Sequence, residues 1–331
     1  MITYVFGAGA SRHAGYPLAG ELGNRLHAWI RRNGPVAGVY GGNIEKLHEL
    51  SGGLGDIEQI LTDLEECTPG SPAAELQPRD RASCLKEFYI LIPEFFNDLR
   101  DGPAPLYDRW SRERVSAGDV VIMFNYDVAC ERELKKAGLW EISNGYGFSL
   151  ELDAIPPSKV KVLKLHGSTN WLDLIFGGNT GASSPSSVFG ERPAIFRRED
   201  LEFFGYSNLC DPLCACIPRT GGRPCLILPA LRKSFHDDTL FGRERTQFWQ
   251  SLWTQAAQAL ESSDRIVIIG YRMAAVDEAA KRLLLERSNP DAHIGVFCGQ
   301  SSAAICSEFN AHGFQPVETC GKGHFEDYLG R

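Results

Sequence analysis

No stretch of this chain suggests a membrane span, because no apolar run approaches the roughly 20 residues that a bilayer crossing needs. The start does not read as an export signal either: residues 1–6 (MITYVF) make too short an apolar core and lack a basic flank. An excess of basic charge is also missing. The 34 Lys and Arg residues are outnumbered by 42 Asp and Glu, for a formal net charge of -8. Broad binding to nucleic acid needs the opposite balance, although a local basic patch around a small anion stays open. The ten cysteines lack the spacing of a secreted disulfide framework, so reduced thiols and a cytoplasmic location are expected. No internal repeat is present. What is there is the composition of an ordinary globular protein, 43% hydrophobic and 23% charged over 331 residues. That length exceeds one typical domain but suits a single α/β domain carrying an insertion.

Six short apolar runs stand out, at 2–6 (ITYVF), 120–124 (VVIMF), 160–165 (VKVLKL), 225–228 (CLIL), 265–269 (RIVII) and 294–298 (IGVFC). Near-continuous runs of this length suit strands buried on both faces. Their alternation with helical stretches implies an α/β fold with a doubly wound, mainly parallel Rossmann-like sheet. Residues 41–118 interrupt the alternation with helical patterns alone. Ile57, Ile60, Leu61 and Leu64 share one stripe in 56–67, and Leu85, Phe88, Leu91, Ile92 and Phe95 share another in 80–99. The expected organisation is a single domain over 1–331. Its core takes 1–40 and 119–331, a helical insertion takes 41–118, and the Gly-, Ser- and Pro-rich stretch 177–193 forms a mobile loop. The amphipathic stretch 247–260 puts Phe248, Leu252 and Trp253 on one side, a face for packing on the sheet.

Polar clusters sit where these strands end. Gly7-Ala8-Gly9-Ala10-Ser11 follows the first strand and precedes a helix expected to begin near Leu18. Glycines there permit a tight turn and close approach to a pyrophosphate, and a helix N-terminus offers unpaired N–H groups to the anion. Arg12 stands where the usual G-x-G-x-x-G pattern has its third glycine, and the lesser alternative is a tight strand-to-helix turn without ligand. Phe124-Asn125-Tyr126-Asp127 ends the second strand, and Asn125 and Asp127 either face a crevice or cap the next helix. Leu165-His166-Gly167-Ser168 ends the third, with His166 placed for acid–base work. Gly270-Tyr271-Arg272 ends the fifth and Cys298 the sixth, where an adenosine edge would fit. Asp277 reads as the N-cap of a helix over 278–286. Three such clusters together are far more specific than any one of them.

Taken together, these residues resemble the sirtuin family. Gly7 to Ser11 matches its Gly-Ala-Gly-x-Ser loop, Asn125-Tyr126-Asp127 part of its Thr-Gln-Asn-x-Asp motif, and His166-Gly167 its catalytic His-Gly. Gly270-Tyr271-Arg272 corresponds loosely to its late Gly-Thr-Ser. Phe124 replaces the family's Gln, and the Pro-Asp-Phe-Arg segment is absent. The same residues, with Asn170-Trp171, look like the sirtuin-like domains of bacterial antiphage defence proteins, which hydrolyse NAD to ADP-ribose and nicotinamide in abortive infection. The resemblance implies Asn125, His166 and Asp127 as catalytic residues. Asn125 would hold the ribose hydroxyls and the attacking water, and His166 would act as base. NAD would be bound by Gly7, Ala8, Gly9, Ser11, Arg12, Ser168, Gly270, Tyr271 and Cys298.

Two other readings stay open. A protein deacylase breaks the same bond but uses an acyl-lysine oxygen as nucleophile, usually beside a zinc module. The cysteines available are Cys210, Cys214, Cys216 and Cys225, whose C-x3-C-x-C-x8-C spacing departs from the paired C-x2-C of a zinc ribbon, so zinc is not expected. A non-catalytic sensor of NAD or ADP-ribose is the other. Since unrestrained NAD hydrolysis would kill its host, a regulatory partner is expected, an ATPase or nucleotide-sensing subunit, or else self-assembly into an oligomer.

Overall fold

The computed structural model describes residues 1–35, 39–142, 144–148, 157–174, 195–196, 222–229, 238–274, 277–314, 317–319 and 322–330, with side chains of 172–174, 195–196, 222–225 and 238–248 excepted. The loop expected at 177–193 lies outside the described residues, as do Cys210, Cys214, Cys216 and the side chain of Cys225. The chain divides into two compact units. One comprises Met1–Tyr16, Arg100–His166 and Trp249–Arg331, and the other Pro17–Leu99 and Gly167–Phe248.

The first unit holds a six-stranded sheet. Numbered in chain order, its strands are β1 (Ile2–Phe6), β2 (Val120–Met123), β3 (Lys161–Lys164), β7 (Arg265–Ile269), β8 (His293–Phe297) and β9 (Val317–Glu318). They lie in the order β3-β2-β1-β7-β8-β9, and every pairing is parallel. This is the doubly wound, Rossmann-like α/β arrangement. Successive strands run outward from β1 to β3, and the chain then returns to lay β7 on the other side of β1. The winding therefore reverses between β1 and β7, the place where open parallel sheets receive ligands.

Side-chain alternation along β1 explains why both faces are covered. Tyr4 and Phe6 point to one face, where Trp110 and Tyr107 of α5 (Pro105–Glu113) and Phe325 of α10 (Phe325–Leu329) meet them. The Phe6 ring lies 4.9 Å from Trp110, 5.4 Å from Tyr107 and 5.7 Å from Phe325. On the other face Thr3 Oγ1 lies 2.6 Å from Ser263 Oγ and reaches the carbonyl of Ala259, which belongs to α7 (Asp238–Glu261). Val5, Ile122, Val267 and Ile268 are fully buried, each worth about 1.5–3 kcal/mol relative to exposure. Of the apolar face expected of 247–260, Leu252 is buried and Trp253 half-buried, the Phe248 side chain lies outside the described residues, and Trp249, Ala256 and Leu260 are buried as well. Helices α6 (Ala129–Lys136), α8 (Glu278–Glu286) and α9 (Ser302–Ala311) complete this unit.

The second unit contains α1 (Ala19–Asn33), α2 (Gly42–Ser51), α3 (Ile57–Glu66) and α4 (Pro78–Asp98), with β4 (Gly167–Leu174), β5 (Ile195–Phe196) and β6 (Gly222–Leu226). The Asp56 carboxylate caps α3 by accepting from the N–H groups of Glu58 and Gln59, both at 3.2 Å. The three strands form an antiparallel sheet in the order β5-β4-β6. Tyr89 of α4 donates to the Leu226 carbonyl at 2.8 Å.

Several expectations need correction. The run 225–228 is no strand of the parallel sheet: it begins within β6, antiparallel to β4. Four apolar residues carry no information about which sheet they join. Helix α5 packs on the parallel sheet instead of joining α2–α4. The second unit is not purely helical, because β4 (GSTNWLDL) is too polar to stand out as a strand. Strand β9, two residues at the sheet edge, left no apolar signal at all.

Candidate active site

At the reversal between β1 and β7 the two following loops interlock. The Gly7 N–H donates to the Ile269 carbonyl at 3.1 Å, and the Gly9 N–H to the Gly270 carbonyl at 2.9 Å. A Cβ on Gly7 would lie 2.5 Å from Tyr271 Cα, one on Gly9 2.9 Å from Gly270 Cα, and one on Gly270 2.1 Å from Ala10 N. Close approach of two backbones therefore demands the glycines, independently of any ligand. The N–H groups of Gly7 and Gly9 are not the pyrophosphate donors that the glycine loop suggested. A 3-10 helix, Ala8–Ala14, follows β1 directly, whereas α1, the helix expected to supply an N-terminus, belongs to the other unit.

Asn125, just beyond β2, is buried with 5% of its surface exposed. Its Nδ2 donates to the Gly7 carbonyl and to Ser11 Oγ, each at 2.9 Å. A carbonyl can only accept, so the orientation of the amide is determined. Both donor hydrogens are spent, and the buried Oδ1 has no hydrogen-bond partner. It is a pre-aimed acceptor in a place where an unmet acceptor costs about 1–3 kcal/mol. Ser11 Oγ also lies 2.9 Å from the hydroxyl of fully buried Tyr107 and hydrogen-bonds the Asp127 carboxylate. Ser11 is thus a bracket for Asn125 and Asp127, a role its place in the glycine loop did not announce.

Asp127 is buried, and desolvation raises its carboxyl above the usual range, opposed by the Lys164 ammonium and the Ser11 hydrogen bond. Its Oδ1 accepts from the Ala129 N–H at 3.1 Å, so the carboxylate caps the start of α6. Beside it Lys164 is fully buried. Its Nζ donates to Glu131 Oε1 at 2.9 Å and to the backbone carbonyls of Tyr126 and Asp127. Tyr146 donates to the same Glu131 oxygen at 3.1 Å. A buried lysine tied to the carbonyls on either side of the 126–127 peptide pins the loop that carries Asn125. Only β2–β3 pairing brings Lys164 there.

His166 follows β3 and is 3% exposed. Its ring tilts against Phe124 at 5.1 Å, and Phe124 in turn stacks on Tyr271 at 4.7 Å. Phe124, the residue that departs from the sirtuin pattern, is thus the wall joining the β2, β3 and β7 loops. The Asp277 carboxylate accepts from the Tyr271 hydroxyl at 3.3 Å and faces His166 Nε2 at 3.7 Å. Asp277 does occupy the N-cap position of α8, but its side chain makes no capping hydrogen bond. Met273 between them has a φ of 49°, uncommon for a non-glycine residue.

The other expected contacts are spread more widely. Arg12 and Arg272 are exposed, and Ser168 lies in β4 of the second unit. Cys298 follows β8, where its thiol donates to the Ile268 carbonyl and burial pushes it up to about 12, so it is a neutral thiol. Among the described residues no group of three or more His, Cys, Asp or Glu side chains is arranged to hold a metal ion. No helix among them is long and apolar enough to cross a membrane.

No protein-family model and no curated protein matches this chain. Among solved structures, one bearing on the mechanism and regulation of Sir2 enzymes is similar at 17% identity, over 99% of this chain and 90% of that one, with a TM-score of 0.41. A score that low adds nothing to the fold read from the strand order, and no residue role is carried over from it.

Proposed function

We propose that this chain is an NAD hydrolase that cleaves the nicotinamide–ribose bond to give ADP-ribose and nicotinamide. The observation that carries the reading is Asn125: a buried amide at the carboxyl edge of a parallel sheet, held by Gly7 and Ser11, with one acceptor oxygen left over. Ribose hydroxyls and water are donors that suit that oxygen. Nicotinamide in NAD is a cationic leaving group, so the chemistry needs a held ribose and a positioned nucleophile more than a general acid. Asn125 Oδ1 accepts from a ribose hydroxyl or the water, His166 takes the proton, and Asp127 holds the Asn125 loop through Ser11. Arg12, exposed next to Ser11, supplies charge for the phosphates. Depletion of NAD in antiphage defence, gated by a partner subunit or by self-assembly, is the biological role in keeping with this activity.

The test is NAD consumption by purified protein, resolved by chromatography, beside Asn125→Ala and His166→Ala. Free ADP-ribose and nicotinamide from the parent protein alone support the reading. Retained turnover in both variants overturns it. Turnover that requires an acyl-lysine peptide replaces it with the deacylase reading, and tight NAD binding without turnover under any condition replaces it with a sensor.

A further inference from the structure

Tyr107 is fully buried in α5, and neither the glycine loop nor a strand end announces it. Four rings fix its side chain: His13 at 5.0 Å, Phe6 at 5.4 Å, Phe325 at 5.7 Å and Trp110 at 6.2 Å. Its hydroxyl has one hydrogen-bond partner among the described residues, Ser11 Oγ at 2.9 Å. Burial pushes the phenol well above its usual pKa, so it keeps its proton and can donate. Counting donors then fixes the direction of each bond. A serine hydroxyl has one hydrogen and two acceptor sites. Asn125 Nδ2 donates to Ser11 Oγ at 2.9 Å and takes one site. The Ser11 hydrogen serves the Asp127 carboxylate. The second site is left for Tyr107, whose O–H would otherwise be a buried donor without an acceptor, at a cost of about 1–3 kcal/mol. With hydrogen and both sites engaged, Ser11 holds one rotamer. The Gly7 carbonyl takes the other hydrogen of the Asn125 amide, so the amide cannot turn over and Oδ1 stays its unspent acceptor.

We propose that Tyr107 is a positioning residue for Asn125, acting through Ser11. The phenol donates to Ser11 Oγ, Ser11 holds the amide nitrogen, and the amide oxygen is thereby kept where a ribose hydroxyl or water meets it. The catalytic part rests on the hydrolase reading, whereas the held amide does not depend on it. Tyr107 takes no part in bond making or breaking, and its proton stays on the phenol throughout. Its contribution is geometric. A displacement of about 1 Å in a group that positions reacting atoms costs on the order of 100-fold in rate, and a serine free to change rotamer would allow one.

The experiment reads the amide and the activity separately. Tyr107→Phe keeps the ring and its packing and removes only the hydroxyl. Proton–nitrogen NMR on labelled protein, with the Asn125 side chain assigned by difference from Asn125→Ala, is expected to show both amide hydrogens exchanging slowly with water. In Tyr107→Phe that protection is lost and kcat falls by about 10- to 100-fold, while KM moves less than about 3-fold. Ser11→Ala has the same two effects, and adding Tyr107→Phe to it changes kcat by less than about 2-fold, as two residues acting through one bond require. One measurement needs no variant and serves if Tyr107→Phe fails to fold. The Tyr107 hydroxyl proton of the parent protein is expected as a slowly exchanging resonance with through-space contacts to the Ser11 side chain. No such resonance, an amide or a kcat unmoved in folded Tyr107→Phe, or losses that multiply in the double variant overturn the proposal. Loss of amide protection in a protein that never consumes NAD upholds the positioning and overturns the hydrolase reading instead.

Discussion

The Asn125 amide donates 2.9 Å to the carbonyl oxygen of Gly7, which ties the loop after β2 to the loop after β1 by a bond that only an amide or another donor can make. In Asn125→Asp a carboxylate replaces the donor and is set against the Gly7 carbonyl, which keeps only the Ala10 N–H as its partner. The expected loss is about 1–3 kcal/mol of stability, read by urea denaturation. NAD loss falls at least about 100-fold in both Asp and Ala variants. An Asp variant as stable as the parent would mean that the amide is not held this way.

The interlocked turns separate two reasons for needing glycine. Gly270→Ala meets both a left-handed φ of 63° and a Cβ 2.1 Å from Ala10 N. Gly15→Ala meets only the φ of 86°, with nothing within 4 Å. The second is expected to cost about 1 kcal/mol. The first should cost at least about 2 kcal/mol more, from backbone that cannot move aside. Equal melting temperatures for the two variants would refute the close approach.

Lys164 and Glu131 are both fully buried, with Nζ 2.9 Å from Oε1. Lys164→Met leaves a buried carboxylate without its cation, and about 3–5 kcal/mol of destabilisation is expected. The double variant with Glu131→Gln should recover part of that loss, because the uncompensated charge is gone while Tyr146 keeps an acceptor. A double-mutant cycle with no coupling energy would show that the pair contributes nothing to holding the 126–127 loop.

His13 packs edge-on against Tyr107 and Phe325, and its Nδ1 accepts from the Leu106 N–H at 3.4 Å. Burial lowers its pKa from 6.5 to about 4, with Glu133 opposing. The folded protein thus binds fewer protons than the unfolded chain between these values. The stability contributed by neutral His13 is full above 6.5 and is lost as pH falls toward about 4. In His13→Gln the denaturation midpoint should depend less steeply on pH within that window, and an unchanged slope would assign the acid sensitivity elsewhere.

How much was legible follows from what each signal depends on. Five of the six strands in the parallel sheet announced themselves as apolar runs, since burial on both faces leaves no room for polar alternation. The clusters at 7–11, 124–127, 165–168 and 270–272 were legible because polar and glycine residues at the ends of such runs have few purely local uses. The two-residue β9 and the polar β4 left no such trace, and 225–228 was placed in the wrong sheet because a short run does not carry its own partner.

By itself, then, the sequence determined the α/β class, the central strands and the loops that gather at their carboxyl ends, all consequences of hydrophobic pattern within a few neighbouring residues. Only the tertiary structure decided what those loops do to one another. The Gly7 and Gly9 N–H groups turn to β7 because parallel pairing sets β1 beside it. Ser11 becomes the bracket of Asn125 across 114 positions of chain. Asp277, at the N-cap position of α8, turns its carboxylate to Tyr271 and His166, partners that two separate strands bring within reach and that no local pattern records.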